Sequence, residues 1–255
     1  TADVDELLGQ FRDALDPVLD RVARASARDG VVAPVGVGVA FPGPMDYGRG
    51  VPYLQGQRKF EALHGVDLRS WMATTWAAMP LDARFVNDAE AAALGECVAG
   101  AGRGAVRSMT ITLGTGFGAA AIVDGAAVSD FGGIEVAQLF ATQIDDLGRA
   151  DDVFSVVGLA RLLGVAADDI PIAAERARLG DTELLGVFAA FGERLGRFLN
   201  AVSSEMDLDV VVVGGGGAHS FDLFGPTLAA TSIVEARCAE LGAHAALLGA
   251  ALPWR

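Results

Sequence analysis

Positive charge is scarce in this chain. Its 255 residues carry 19 Lys and Arg against 33 Asp and Glu, a formal net charge of −14, and no run of basic residues occurs in it. Such a surface repels duplex DNA rather than attracting it. Cysteine is nearly absent. Cys97 and Cys238 lie far apart in apolar, alanine-rich surroundings, which excludes a disulfide framework and predicts two buried free thiols of the kind a reducing cytoplasm allows. The three histidines, His64, His219 and His244, are scattered, and no cysteine falls between Cys97 and Cys238. The four clustered nitrogen or sulfur ligands of a structural zinc site are therefore missing, and no zinc is expected. No run of eighteen apolar residues and no charged-then-apolar leader is present, so no membrane partner is expected and the cytoplasm is the expected location.

What remains is a chain of α/β character. At this length about three quarters of the surface is expected to be buried on folding, in one large domain or two lobes. Val4 to Ala27 place Leu7, Leu8, Phe11, Leu15, Val18, Leu19 and Val22 at helical spacing between charges, an amphipathic helix. Val35 to Phe41 reads as a β-branched strand stopped by Pro42-Gly43-Pro44. A helix is expected over Trp71 to Met79, leading to a short strand at Phe85-Val86. Met109 to Leu113 and Ala119 to Val123 read as a hairpin joined by a glycine-rich turn. The stretch from Asp151 to Asp207 is mostly helical, with Leu184 to Met206 its longest amphipathic segment. Val210 to Val213 is a very apolar strand running into four glycines, and a last helix spans Ala243 to Leu252 before Pro253.

Two stretches carry chemistry. Val86-Asn87-Asp88-Ala89-Glu90 puts a carboxylate at a strand-to-helix junction, a site-forming position in an open α/β fold. Taken alone, Asn-Asp before a helix is an N-cap. Ile111-Thr112-Leu113-Gly114-Thr115-Gly116-Phe117-Gly118 joins two strands through glycines whose amides can approach a phosphate, with the Thr115 hydroxyl as a further donor. A dinucleotide-binding reading of that loop fails, because a strand follows it rather than a helix.

Together these motifs resemble those of the ROK family of bacterial sugar kinases. Three further pieces fall in that family's order: Gly36-Val37-Gly38-Val39-Ala40-Phe41-Pro42-Gly43-Pro44-Met45-Asp46, Gly133-Ile134-Glu135-Val136-Ala137-Gln138, and Val211-Val212-Val213-Gly214-Gly215-Gly216-Gly217. The resemblance implies a two-lobed, actin-like ATPase (ribonuclease H-like) α/β fold. Residues 1–88 with 243–255 would form the first lobe and residues 89–242 the second. It also implies ATP and Mg²⁺ as cofactors and transfer of phosphate to the 6-hydroxyl of a hexose, glucose or a close relative. By the same resemblance Asp88 is the general base, Gly43, Asn87, Asp88, Glu135 and Gln138 meet the sugar, Gly114, Thr115 and Gly116 hold phosphate, and Gly214, Gly215, Gly216 and Gly217 border adenosine. Sugar and nucleotide are the expected partners, nucleic acid is not, and a homodimer is compatible with the family.

Two departures from the family pattern stand out. The family usually writes Gly-Glu-x-Gly-His where this chain has Ile134-Glu135-Val136-Ala137-Gln138. Glutamine can donate and accept hydrogen bonds, but it does not titrate near neutral pH. Glu135 is thus either a sugar ligand or a solvated loop carboxylate. The family's first strand also ends in an Asp-x-Gly-Gly-Thr turn that is absent here, so the first lobe is expected to be truncated at its N-terminus. A catalytically silent sugar-binding protein is the alternative these departures leave.

Overall fold

A computed structural model describes residues 3–29, 35–55, 60–79, 81–144 and 147–252. The chain divides into two compact units, cut between Asp88 and Ala89 and again between Gly249 and Ala250.

Unit 1 opens with helix α1 (Val4–Asp29), whose first turn is acidic and begins where the Asp3 carboxylate accepts the Glu6 amide at 2.8 Å. That arrangement satisfies one of the amides a helix start leaves without a partner. Its apolar stripe buries Leu7 and Leu19, with Phe11 and Leu15 partly covered. Strand β1 (Val35–Phe41) leads into a small hairpin of β2 (Met45–Asp46) and β3 (Val51–Pro52). Helix α2 (Leu68–Thr75) and strand β4 (Leu81–Asn87) follow.

Helix α2 starts three residues before the sequence-based expectation and ends at Thr75 instead of Met79. The Asp67 side chain accepts both the amide and the hydroxyl of Ser70, each at 2.8 Å, and so starts the helix upstream. At the other end Trp76 leaves helical geometry and its indole N–H donates to Asp16 at 2.7 Å, tying α2 to α1. Strand β4 is longer than Phe85-Val86 because it pairs in parallel with β1 along its whole length, Val35 opposite Leu81 through Phe41 opposite Asn87.

Unit 2 begins along helix α3 (Asp88–Ala99) and builds a five-stranded mixed sheet. Strands β5 (Arg107–Leu113), β6 (Phe117–Val123) and β7 (Ala126–Val128) form an antiparallel meander. A ribbon of β8 (Asp130–Phe131) and β9 (Ile134–Glu135) runs into a 3₁₀ turn at Val136–Ala141. The helices α4 (Ala150–Phe154), α5 (Val156–Leu163), α6 (Ile170–Arg178) and α7 (Thr182–Met206) come next. Strand β10 (Val210–Gly214) inserts in parallel between β5 and β11 (Glu235–Cys238), with α8 (Phe221–Thr231) as the crossover and α9 (His244–Ala251) last.

Val210 to Val213 are each at most 1 % exposed, the continuous apolar run of a strand covered on both faces. On one side of the sheet Phe117, Phe154, Phe198, Phe191 and Phe224 form a chain of ring contacts with centroids 5.2 to 5.9 Å apart. On the other side α3 and α9 meet through small residues. A Cβ placed on Gly95 would stand 2.1 Å from the Ala245 carbonyl oxygen, so only glycine permits the contact.

Candidate functional site

The β1–β4 register decides what gathers at the end of unit 1. With Phe41 opposite Asn87, the Pro42-Gly43-Pro44 turn that ends β1 lies beside the junction that ends β4. The Gly43–Pro44 peptide is cis. Asn87 Nδ2 donates to the Tyr47 hydroxyl at 2.9 Å, and that hydroxyl donates to the Phe41 carbonyl at 3.3 Å. A Cβ on Gly43 would stand 3.2 Å from the same hydroxyl and 3.6 Å from Asn87 Nδ2. Gly43, Tyr47 and Asn87 are therefore one constellation. Tyr47 escaped the sequence reading, and its one signal was a polar aromatic three residues past the Pro-Gly-Pro turn.

Asp88 is the first residue of α3 and is exposed. Its place is the positive end of the helix dipole. Two residues on, burial pushes the Glu90 carboxyl above the ordinary range. Glu96, on the same helix, is 1 % exposed. Its carboxylate accepts the backbone amides of Ala101 at 2.8 Å, Leu241 at 2.8 Å and Glu240 at 3.2 Å, fastening α3 to the segment between β11 and α9.

In unit 2 the turn between β5 and β6 is closed by the Gly114 amide donating to the Gly116 carbonyl at 3.0 Å. Asp151, in the first turn of α4, accepts the Phe117 amide at 2.7 Å. The same oxygen would stand 3.1 Å from a Cβ on Gly116, so glycine leaves room for it. Asp151 is a second residue that sequence reasoning missed, its partner being 34 positions away. Among the described residues no protein group accepts the amides of Thr115 and Gly116, and both residues are exposed. Two amides without a protein acceptor and a threonine hydroxyl form a donor set suited to phosphate oxygens.

The second glycine loop packs directly on the first. Gly215 has φ +83°, and a Cβ on it would lie 2.8 Å from the Leu113 backbone. Strand β10 pairs Gly214 with Thr112 in β5, and the 3₁₀ turn Gly216–Ser220 carries the chain into α8. Beside this turn lies a cavity of about 450 Å³ lined by Val156, Ile170, Pro171, Ala174, Gly216 and Gly217, with Asp168, Arg178 and His219 also on it. A second cavity of about 440 Å³ lies against Thr110, Thr112 and Gly214 and shares Gly216 and His219 with the first. His219 is exposed and its Nδ1 sits 2.9 Å from the Gly216 carbonyl.

Glu135 ends β9, paired across to Asp130, and Gln138 follows one 3₁₀ turn later. Glu135 is the extended residue just before the turn, Gln138 lies within it, and both are exposed. Gly43, Asn87 and Asp88 thus belong to unit 1, and Glu135, Gln138 and both glycine loops to unit 2.

Among the described residues no group of three His, Cys, Asp or Glu could hold a metal ion. His64 Nδ1 sits 2.9 Å from the Leu54 carbonyl. Cys97 and Cys238 are free and half-buried rather than fully buried, and burial raises both thiols above their ordinary range. No helix among the described residues is long and apolar enough to cross a membrane.

Comparison with known proteins identifies the family and the fold. The structure superposes on a ROK family glucokinase from Streptomyces griseus solved with glucose and AMPPNP, at 23 % identity and a TM-score of 0.67, covering 93 % of this chain and 87 % of that one. It matches an inorganic polyphosphate/ATP-glucomannokinase from Arthrobacter at 27 % identity and a TM-score of 0.61, covering 91 % and 78 %. A ROK family transcriptional regulator, a homologue of an E. coli protein, matches at 18 % identity and a TM-score of 0.73, covering 98 % of this chain and 68 % of that one. Among curated proteins an uncharacterized protein of Clostridium perfringens is 27 % identical over 146 residues, which are 56 % of this chain. The match spans half the length of that relative. The fold is the mixed α/β, actin-like ATPase fold of the ROK kinases. The ROK family model matches residues 10–254, nearly the whole chain, and the protein belongs to the ROK family.

Proposed function

We propose that this protein is a sugar kinase that transfers the γ-phosphate of ATP to the 6-hydroxyl of a hexose, glucose or a close relative. The observation that carries the reading is the seating of the Gly214–Gly217 turn on the end of β5, directly beside the Gly114-Thr115-Gly116 loop and against a largely apolar cavity of about 450 Å³. A nucleotide needs such an apolar slot for its base next to amide donors for its phosphates. Mg²⁺ would ride on the phosphate oxygens and offset their charge, which matters beside the carboxylate of Asp151.

Transfer to a hydroxyl needs a carboxylate that accepts the hydroxyl proton as the bond to phosphorus forms, and Asp88 is the proposed base. Asn87, fixed by Tyr47, is pre-aimed for sugar hydroxyls, and Gly43 brings backbone to the same place. Glu135 and Gln138, exposed and close in the chain, are the proposed sugar ligands of unit 2. The net charge of −14 argues against nucleic acid as a partner, including for a chain whose neighbours include a regulator. On this reading the protein works in the cytoplasm on a small sugar and a nucleotide without zinc, and a homodimer is compatible with it.

The test is nucleotide-dependent phosphorylation across a panel of aldohexoses and N-acetylhexosamines, comparing the chain with its Asp88→Asn variant. Turnover that falls about 10²- to 10⁴-fold on substitution is expected. No turnover from a folded chain that still binds a sugar would favour the second reading, a silent sugar-binding protein. Gln138, standing where the family has a histidine, is the observation behind that reading.

A further inference from the structure

Arg178, the last residue of α6, makes a contact that the proposed chemistry does not use. Its Nε and Nη2 donate to the two carboxylate oxygens of Asp222 at 2.8 and 2.7 Å, and Nη2 also donates to the backbone carbonyl of His219 at 3.0 Å. Glu175 stands 3.7 Å away on the same helix. The bonds to Asp222 and His219 join two elements that both line one cavity. Helix α6 gives Ile170, Pro171 and Ala174 to one wall, while the turn that contains Gly216, Gly217 and His219 forms the other, with Asp222 just beyond it at the start of α8. The guanidinium is thus rooted in one wall and bonded to both side chain and backbone of the other.

A partly exposed ion pair adds little to global stability, so the consequence of this bridge is geometric. A guanidinium fork has a fixed shape, and a paired carboxylate and carbonyl fix its distance and its plane. Mutual hydrogen bonding holds Asp222 below and Arg178 above their ordinary ranges, so neither charge is lost near neutral pH. Most of the lining is Val, Ile, Pro, Ala and Gly, with Asp168, His219 and Ser220 as its polar members beside Arg178. A mostly apolar slot holds a planar base by contact on its faces, which depends on the spacing of the walls.

We propose that Arg178, through Asp222 and the His219 carbonyl, is a positioning residue that sets the width of a nucleoside-base slot. This rests on the reading that the cavity beside the glycine turn receives the donor nucleotide.

The experiment is calorimetric binding of ATP, of adenosine and of the accepted sugar to the wild-type chain and to Arg178→Met, Arg178→Lys and Asp222→Asn, with KM and kcat for the same set. Arg178→Met is expected to weaken ATP and adenosine about tenfold. It should raise KM for ATP while leaving kcat and the sugar affinity nearly unchanged, because the bridge prearranges the slot and touches no reacting atom. Arg178→Lys keeps the charge without the fork and should recover only part of the loss. Asp222→Asn removes the charge and one of the two acceptor oxygens, keeps the bond to His219 and should give an intermediate loss. It decides the matter should Arg178→Met fail to fold. Wild-type nucleotide binding that the variants leave unchanged, or an equal loss for the sugar, overturns the positioning role alone. A folded wild-type chain that binds neither ATP nor adenosine overturns this proposal and the kinase reading together.

Discussion

The two units bury their side chains by different means. Among the described residues unit 1 has a two-stranded parallel sheet and a mostly aliphatic core of Leu7, Val37, Val39, Leu54, Leu63, Leu68 and Met72 around Phe41, flanked by the partly buried rings of Phe11, Phe60 and Trp71, with Trp76 hydrogen-bonded to α1. Unit 2 has a five-stranded sheet and a core that runs from the buried Val210 to Val213 through the phenylalanines of β6, α4, α7 and α8. A central strand covered on both faces excludes water from its whole hydrogen-bond ladder, whereas a two-stranded sheet has an edge on each side. The difference bears on function. Unit 1 holds its candidate groups through a few side-chain bonds such as that of Asn87 to Tyr47, while unit 2 holds its glycine loops through backbone packed against backbone.

The comparison can be broken most sharply at Phe154, which is fully buried between Phe117, Phe191 and Phe198. Phe154→Ala should cost about 3 to 5 kcal/mol in unit 2. Tryptophan fluorescence reports unit 1, since Trp71 and Trp76 lie there, and helical circular dichroism reports mainly unit 2. A denaturant transition that shifts by dichroism more than by fluorescence would mark two separately stable units. Equal shifts would make them one cooperative block and erase the distinction.

Glu96→Ala comes next. It leaves the amides of Ala101, Glu240 and Leu241 without their buried acceptor and should cost about 3 kcal/mol in urea unfolding. A near-neutral result would mean that the α3–α9 contact of Gly95 suffices on its own.

Acid is the gentlest probe. In unit 2 the carboxyls of Asp209 and Asp222 are held below the ordinary value of 3.8, Asp209 chiefly by the Arg107 amide and Asp222 by the Arg178 guanidinium. A depressed carboxyl contributes stability that is complete above its unfolded value and is lost as pH falls through its folded value. Glu90, raised by burial, acts in the opposite sense and favours the native state as it takes up a proton. Thermal unfolding measured below pH 4 should therefore show unit 2 losing stability, and the loss should shrink in Asp222→Asn. An unchanged acid profile in that variant would count against the bond as a source of acid sensitivity.

Much of the fold could be read in the chain because the relevant physics is short-range. The strands β1, β5, β6 and β10 are runs of apolar or β-branched residues ended by proline or glycine, and helices α1 and α7 carry apolar residues at helical spacing. The start of α2 was missed because an Asp67–Ser70 cap outranked the periodicity that begins at Trp71. The candidate site was legible where glycines and a junction carboxylate mark it. It was not legible at Tyr47, Asp151, Arg178 or Glu96, whose hydrogen-bond partners lie 40, 34, 44 and up to 145 residues away.

By itself, then, the sequence determined the order of elements, the two glycine turns and the Asn87-Asp88 junction. Backbone propensity and the sterics of Gly and Pro act within a few residues and need no distant partner. Only the tertiary structure decided that the β1–β4 register would carry the Pro-Gly-Pro turn to Asn87. It alone placed Gly215 and Gly217 on Leu113, and brought Arg178 to Asp222, 44 residues away. Those meetings depend on how buried surfaces pack, and close packing is a property of the assembled core rather than of any segment of it.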